Sequence, residues 1–300
     1  MKLHYYRSTQ LRNFGDDLNG WLWPRLMPEL LDDDHNEILL GIGTILNNVL
    51  DETIPAGCQR IAVLSSGVGY GSGLPRIDGR WKIYCLRGPL STKALEVPES
   101  MAVTDGAALL RRVYAAPGFK SRQFSYMPHA LQSQSEGREW ARICQDIDFG
   151  YIDARWPIGQ ILEAISGTGV MLTEAMHGAI VADALRIPWI PVHSTSQILR
   201  FKWEDWCMSI GVNYEPKRIF PLWGEPPYNR RAKWVRQWLK RPIVAVQRQV
   251  IAAELARIAE TTCPYLSSDA RIEELTQMLE QKALEIRKDR TAGRRASRRG

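Results

Sequence analysis

Residues 173–192 read TEAMHGAIVADALRIPWIPV, and the fold class turns on this stretch. An apolar run from Gly169 to Leu172 leads into Thr173 and Glu174. His177 and Gly178 then open a short amphipathic helix. That helix cannot pass Pro188, because proline lacks an amide proton and its ring clashes with the preceding turn. A second apolar run, IPWIPV, follows. Strand, helix and strand in this order make a parallel crossover unit. Just upstream the same alternation runs through the strand "DFGYIDAR", the helix "PIGQILEAISG" and the strand "GVMLT".

Nearer the N-terminus, apolar strands in "LHYYR", "EILLGIG", "RIAVLSSGVGYG" and "KIYCLRG" alternate with helical segments "LNGWLWPRLM", "TILNNVL" and "LSTKALE". "SMAVTDGAALL" reads as one more strand and helix. The expected class is α/β, two facing Rossmann-like domains followed by C-terminal helices. Polar residues in "HALQSQSEGRE" interrupt the pattern and set the expected bounds. An N-terminal domain spans 1–132, and a C-terminal domain with the His-Gly pair spans 139–229. Helices occupy 230–290, the last one capped by Ser268, and a basic disordered tail occupies 291–300. Ligands of such sheets bind where loops leave the carboxyl ends of strands. The glycine loops of the first unit then face the His177 loop across a cleft.

The 300 residues are 45% hydrophobic and 24% charged, values of a soluble globular protein. No stretch approaches the ~20 apolar residues of a membrane span. The opening MKLHYYRSTQ lacks a signal-peptide apolar segment, so a cytoplasmic location is expected. Cys58, Cys85, Cys144, Cys207 and Cys263 form no C-x-x-C pair, which suits reduced thiols. The net charge of +6 lies entirely in residues 287–300, which hold seven Lys/Arg and one Asp; the remainder carries 32 basic and 32 acidic residues. A basic groove for nucleic acid is therefore not indicated. The basic end reads as a solvated tail, or as a weak contact for anionic lipid headgroups at the membrane surface.

Several positions have residue types suited to an anionic ligand. Gly43 in "GIG", and Gly67 and Gly69 in "GVGYGSG", let backbone amides approach an anion. Neither loop has a Walker lysine or a dinucleotide fingerprint, so tight turns account for them equally. "NFGDDLN" sets Asn13, Gly15 and Asp16 at the first strand-to-helix turn, where an acidic residue also serves simply as a cap. Arg87 follows a strand, with Ser91 at the next helix. Arginine there suits bidentate capture of carboxylate or phosphate, and a surface salt bridge is the alternative. Asp105 has a similar loop position, and His129 ends a strand.

His177 is the sharpest of these. Near a helix start its imidazole meets the positive dipole end, which disfavours imidazolium, whereas a bound polyanion pushes the other way. Such a group suits general acid catalysis. Glu174 could orient it, the Met176 helix start could supply an amide, and Gly178 leaves room for close approach. A packed or capping histidine is the structural alternative. Among eleven tryptophans, Trp21, Trp23, Trp203 and Trp206 invite sugar stacking, with one or two expected at an acceptor site and most in the core. The five histidines have no ligand spacing, so no metal is expected.

Taken in order, "NFGDDLN", "GIGTIL", "SSGVGYG", "LRGPLS", "VTDGAALL", "YMPH" and "EAMHGAIVADALRIPWIPV" resemble the polysaccharide pyruvyl transferase family, in particular the bacterial exopolysaccharide ketal-pyruvate transferases. The motifs span roughly residues 5 to 192. The resemblance implies a fold like a GT-B glycosyltransferase, phosphoenolpyruvate as donor, and release of phosphate as a cyclic pyruvate ketal forms on a sugar. It also implies a polyprenyl-diphosphate-linked oligosaccharide or polysaccharide as acceptor, at the inner face of the cytoplasmic membrane. His177 matches the family's acid/base histidine, and Arg87 its arginine after the central strand. Two departures stand out. Many members have Ser-Arg where this chain has Glu174 and Ala175, and Asp is common where it has Gly88. Either another cation, with Arg186 or Arg200 as candidates, replaces the missing arginine, or Glu174 marks the ketal-forming subgroup. The competing functions are a nucleotide-sugar glycosyltransferase on the same architecture and a non-catalytic scaffold of a polysaccharide assembly complex.

Overall fold

The computed structural model describes residues 1–195, 198–222 and 233–297. Its strands are β1 (Lys2–His4), β2 (Glu37–Leu40), β3 (Arg60–Leu64), β4 (Trp81–Cys85), β5 (Arg122–Met127), β6 (Gly150–Tyr151), β7 (Thr168–Thr173), β8 (Trp189–His193) and β9 (Lys217–Arg218). The α-helices are α1 (Phe14–Leu26), α2 (Leu50–Thr53), α3 (Pro89–Ala94), α4 (Ala130–Asp146), α5 (Ile158–Ser166), α6 (Met176–Ala184), α7 (Arg200–Ser209), α8 (Lys233–Thr261) and α9 (Asp269–Ser297). Two parallel sheets result, ordered β1-β2-β3-β4 and β6-β5-β7-β8-β9. The chain is thus a two-lobed α/β protein with Rossmann-like, GT-B-like halves and a helical C-terminal extension. Ile38, Leu39, Leu40, Ile61, Ala62, Val63 and Leu64 are all wholly buried, as continuous apolar strands covered on both faces must be.

The lobe boundary lies earlier than the interval 132–139 expected from polarity. β5 pairs with both β6 and β7 and so sits inside the second sheet. The polar stretch 129–139 is the first part of α4, not a linker. Its buried face is thin, built by Ala130, Ser133, Trp140, Ile143 and Cys144, so its sequence is mostly solvent-facing. "TILNNVL" is not a helix either. Leu46 bridges Val68, and the Asn47 and Asn48 side chains bond the glycine loop at Gly69 and Ser72. Asparagine's competition with the backbone hydrogen bonds outweighs the apolar spacing there.

One core joins the lobes. Phe14, Leu18 and Leu22 of α1 share it with Met127, Ile161 and Ile180 of the second lobe, and Phe14 N donates to Ala154 O at 2.8 Å. α7 connects β8 to β9 of the second sheet yet packs on α3 of the first lobe. Its Trp203 and Trp206 pack at a tilt against Trp189 of β8, so it spans the seam.

The expected disordered tail is helical through Ser297 as the end of α9; residues 298–300 lie outside the described residues. Nor are all the basic residues of 287–300 available to a lipid surface. Arg290 is buried and reaches Asp32 at 2.6 Å, Glu37 at 2.9 Å and Leu30 O at 2.6 Å. Arg287 donates to Leu26 O at 2.8 Å, and Asp289 accepts from Tyr84 at 2.6 Å. Hydrogen bonds to charged groups contribute about 1.5–3 kcal/mol each where they are buried. Deleting residues 287–300 is therefore expected to lower the thermal unfolding midpoint by several degrees. A truncated chain melting with the full-length protein would show this segment to be dispensable.

Candidate functional site

The strongest convergence of polar groups lies at the seam between the lobes. α1 begins there because Asn13 has extended backbone and its Oδ1 accepts from Gly15 N at 3.3 Å, with Asp16 and Asp17 in the first turn. Asn19, wholly buried one turn on, locks the helix to the end of β2. It exchanges bonds with both the N–H and C=O of Ile42 (2.8 and 2.9 Å) and accepts from Trp23 Nε1 at 3.0 Å.

From the other lobe comes His177, the second residue of α6. Its ring abuts the α1 start through Nδ1: a Cβ placed on Gly15 would stand 1.9 Å from that nitrogen. Gly15 therefore serves the imidazole's approach, a contact only glycine allows. On the opposite edge, Nε2 is sealed from solvent and faces Asp105 Oδ2 at 3.5 Å. Asp105 is wholly buried, and its other oxygen caps the 3₁₀ turn at Ala107 N (2.9 Å). The imidazole side chain is 14% exposed. It is held between two parts of the first lobe, the Asp105 carboxylate and the start of α1.

Burial pushes the Asp16 carboxyl up, while His177, the Asn13 amide and Lys202 pull it back. His129 caps α4 and is pushed down to about 4 by burial, with the Lys202 charge adding to the effect. Ser65, at the end of β3, takes a left-handed φ of 75° that serine rarely adopts, and its buried Oγ has no hydrogen-bond partner. A Cβ on Gly106, next to Asp105, would come within 2.4 Å of that oxygen.

Other sequence candidates are positioned differently. Glu174 does not reach toward His177. It is wholly buried and accepts from His129 N at 3.2 Å and Ser194 N at 2.5 Å, tying β7 to its neighbours, and burial raises its carboxyl against those donors. Gly178 makes room for the sheet rather than a ligand, since a Cβ there would lie 2.7 Å from both Met127 Sδ and Met171 Cε. Met176 is core.

Arg87 is wholly buried and fully engaged, not a surface guanidinium. It donates to Asp205 at 3.0 Å, Thr44 Oγ1 at 2.6 Å and Val68 O at 3.2 Å. Ser91 completes that cluster, giving its N–H and hydroxyl to Asp205 (2.9 and 2.6 Å). Gly67 spends its amide on Gly43 O and makes space for the Arg87 guanidinium, while Gly43 and Gly69 supply positive φ at 131° and 142°. Gly88, where Asp is common in the family it resembles, abuts Asp205 O, 2.0 Å from where a Cβ would be. A tight lobe-to-lobe clamp thus occupies the positions read as donor contacts.

The two cations considered as replacements for the missing arginine are also committed elsewhere. Arg186 binds Asp269 at 2.7 Å and Ser267, and Arg200 is exposed and pairs with Glu204 at 2.5 Å. Trp23, Trp203 and Trp206 are core, so of the four tryptophans singled out only Trp21 reaches the surface, with Arg25 over its ring at 4.1 Å. Sequence reasoning passed over Asp105 as the partner of His177, and passed over Lys202 altogether. An Asp-Gly pair after a strand was the available signal for the first; no local signal marks the second. Among the described residues, no group of three or more His, Cys, Asp or Glu could hold a metal ion, and no helix is long and apolar enough to cross a membrane.

No family model matches the chain. It is similar to the succinoglycan biosynthesis protein ExoV of Rhizobium meliloti (strain 1021), 36% identical over 218 residues that cover 72% of this chain and 67% of that protein.

Proposed function

The chain belongs to the family of the succinoglycan biosynthesis protein ExoV, and from that membership we propose that it transfers pyruvate from phosphoenolpyruvate to a sugar of an exopolysaccharide repeat unit. The product is a cyclic ketal, and phosphate is released. What carries this reading is the His177 imidazole, fixed between Asp105 and the start of α1 at the seam where two α/β lobes meet.

The chemistry needs a proton source beside an anionic donor. His177 gives its proton to the enol methylene, which becomes the methyl group, and positive charge develops at C2. An acceptor hydroxyl adds to C2 and surrenders its proton to the imidazole. The C–O bond to phosphate then breaks. The second hydroxyl closes the ring on C2, and its proton leaves with the phosphate. One diol and one phosphoenolpyruvate thus become one ketal and one phosphate. Asp105 holds the ring in place, and a cation near the phosphate stabilises its departure. A lipid-diphosphate-linked oligosaccharide is the acceptor class proposed, met at the inner membrane face.

Purified protein incubated with a defined oligosaccharide should consume phosphoenolpyruvate. It should also release phosphate stoichiometrically and raise the acceptor mass by one pyruvic acid less one water. Consumption of a nucleotide sugar with release of nucleotide, and none of phosphoenolpyruvate, would replace this reading with a glycosyltransferase.

A further inference from the structure

Lys202 sits in the first turn of α7 and is 9% exposed. Its ammonium donates to the Tyr70 hydroxyl at 2.7 Å and lies 5.2 Å from that ring's centre. Among the described residues no carboxylate stands within ion-pair distance of it. A buried ammonium whose direct partner is a neutral phenol has lost water without gaining a contacting counter-ion, Asp16 acting on it only through space. The helix start adds positive potential at the same place. Asp16 and His129 both feel the Lys202 charge, so the ammonium belongs to the seam that holds His177.

Its one partner is also unusual. Tyr70 has a left-handed φ of 56° between Gly69 and Gly71, which are left-handed as well. Three successive residues in that region hold the ring over Lys202 at a conformational cost to the tyrosine. Leu199, just ahead of α7, packs against Gly69 and holds the loop to the helix. The phenol can accept from the ammonium and donate its own proton outward, and its ring is half exposed.

We propose that Lys202 and the Tyr70 hydroxyl form an anion site for the phosphate group of a small phosphate ester. The site rests on the pyruvyl-transfer reading for the identity of that ester, but not for its existence.

The test uses the full chain with inorganic phosphate and, separately, phosphoenolpyruvate, followed by calorimetry and thermal unfolding. Lys202→Met is expected to weaken phosphate binding by about tenfold to a hundredfold, the loss of a charged hydrogen bond. Lys202→Arg should retain most of the binding, and Tyr70→Phe should weaken it less than Lys202→Met. Without phosphate, Lys202→Met should unfold at or above the wild-type temperature, because it removes a buried charge that has no counter-ion in contact. A lysine kept for packing alone would give a lower midpoint and no change in binding, and that result overturns the site. Equal phosphate affinity in wild type and Lys202→Met overturns it too, as does unchanged KM for phosphoenolpyruvate in an active Lys202→Met enzyme. Phosphate binding that depends on Lys202, in a protein that does not turn over phosphoenolpyruvate, supports the site and removes the pyruvyl-transfer reading alone.

Discussion

His177→Gln lowers turnover by about 10²–10⁴-fold, the range for losing a positioned general acid. It leaves the unfolding temperature near wild type, because glutamine fills similar space and the residue lies at a seam rather than in a core. The loss falls on kcat, with KM for phosphoenolpyruvate little changed, since the proton is needed only in the transition state. Asp105→Asn moves kcat in the same direction by a smaller factor. It keeps the volume opposite Nε2 but replaces the oxygen 3.5 Å from that nitrogen, and so acts through the ring's position. Steady-state kinetics over a pH series check both variants. Wild-type turnover by His177→Gln would remove the imidazole from the chemistry, whatever becomes of the fold.

Asp205→Ala is expected to destabilise the protein by about 3–5 kcal/mol. The carboxylate is wholly buried and takes bonds from Arg87, the Ser91 amide and the Ser91 hydroxyl. Removing it strands a guanidinium that has no exposure and two neutral oxygens left, on Thr44 and Val68. The midpoint should fall by roughly 10 °C, taking about 2–4 °C per kcal/mol for a chain of this size class. Replacing both partners with apolar residues, as in Arg87→Met with Asp205→Leu, should recover much of that loss, because no uncompensated charge remains. Urea or thermal unfolding of the wild type and the two variants decides it. A loss below about 1 kcal/mol for Asp205→Ala is the behaviour of an exposed pair, and would free Arg87 to be read as a ligand contact again.

Arg87 also illustrates how far local reading reaches. An arginine at the carboxyl end of a strand was legible, and its chemistry as a binder of carboxylate was right in kind. The carboxylate it binds is the protein's own, 118 residues away on α7. Nothing in "LRGPLS" reveals that, since a side chain's partner is set by which elements the sheet brings together. The seam at His177 was legible in the same partial way. The sequence located the imidazole at a helix start next to a strand and pointed to Gly15 and Asp16 on the facing lobe. Glu174, three residues away and plausible as an orienting group, is instead spent on the amides of His129 and Ser194. The orienting carboxylate comes from Asp105.

The lobe boundary failed for a related reason. Polarity marks solvent exposure, and a helix with a thin buried face is as polar as a linker, so α4 was read as a break. β5 was assigned by its position in the chain, whereas hydrogen-bonded pairing assigns it to the second sheet.

Apolar periodicity and turn residues by themselves determined that this chain is α/β, that its sheets are parallel and that a histidine opens the helix after β7. These are short-range consequences of side-chain shape and backbone geometry, which act within about one element. Tertiary structure alone decided that Asp105 faces His177, that Asp205 neutralises Arg87 and that Lys202 is buried against the Tyr70 hydroxyl. Charge pairing depends on distance in space, and only the packing of the two lobes fixes those distances.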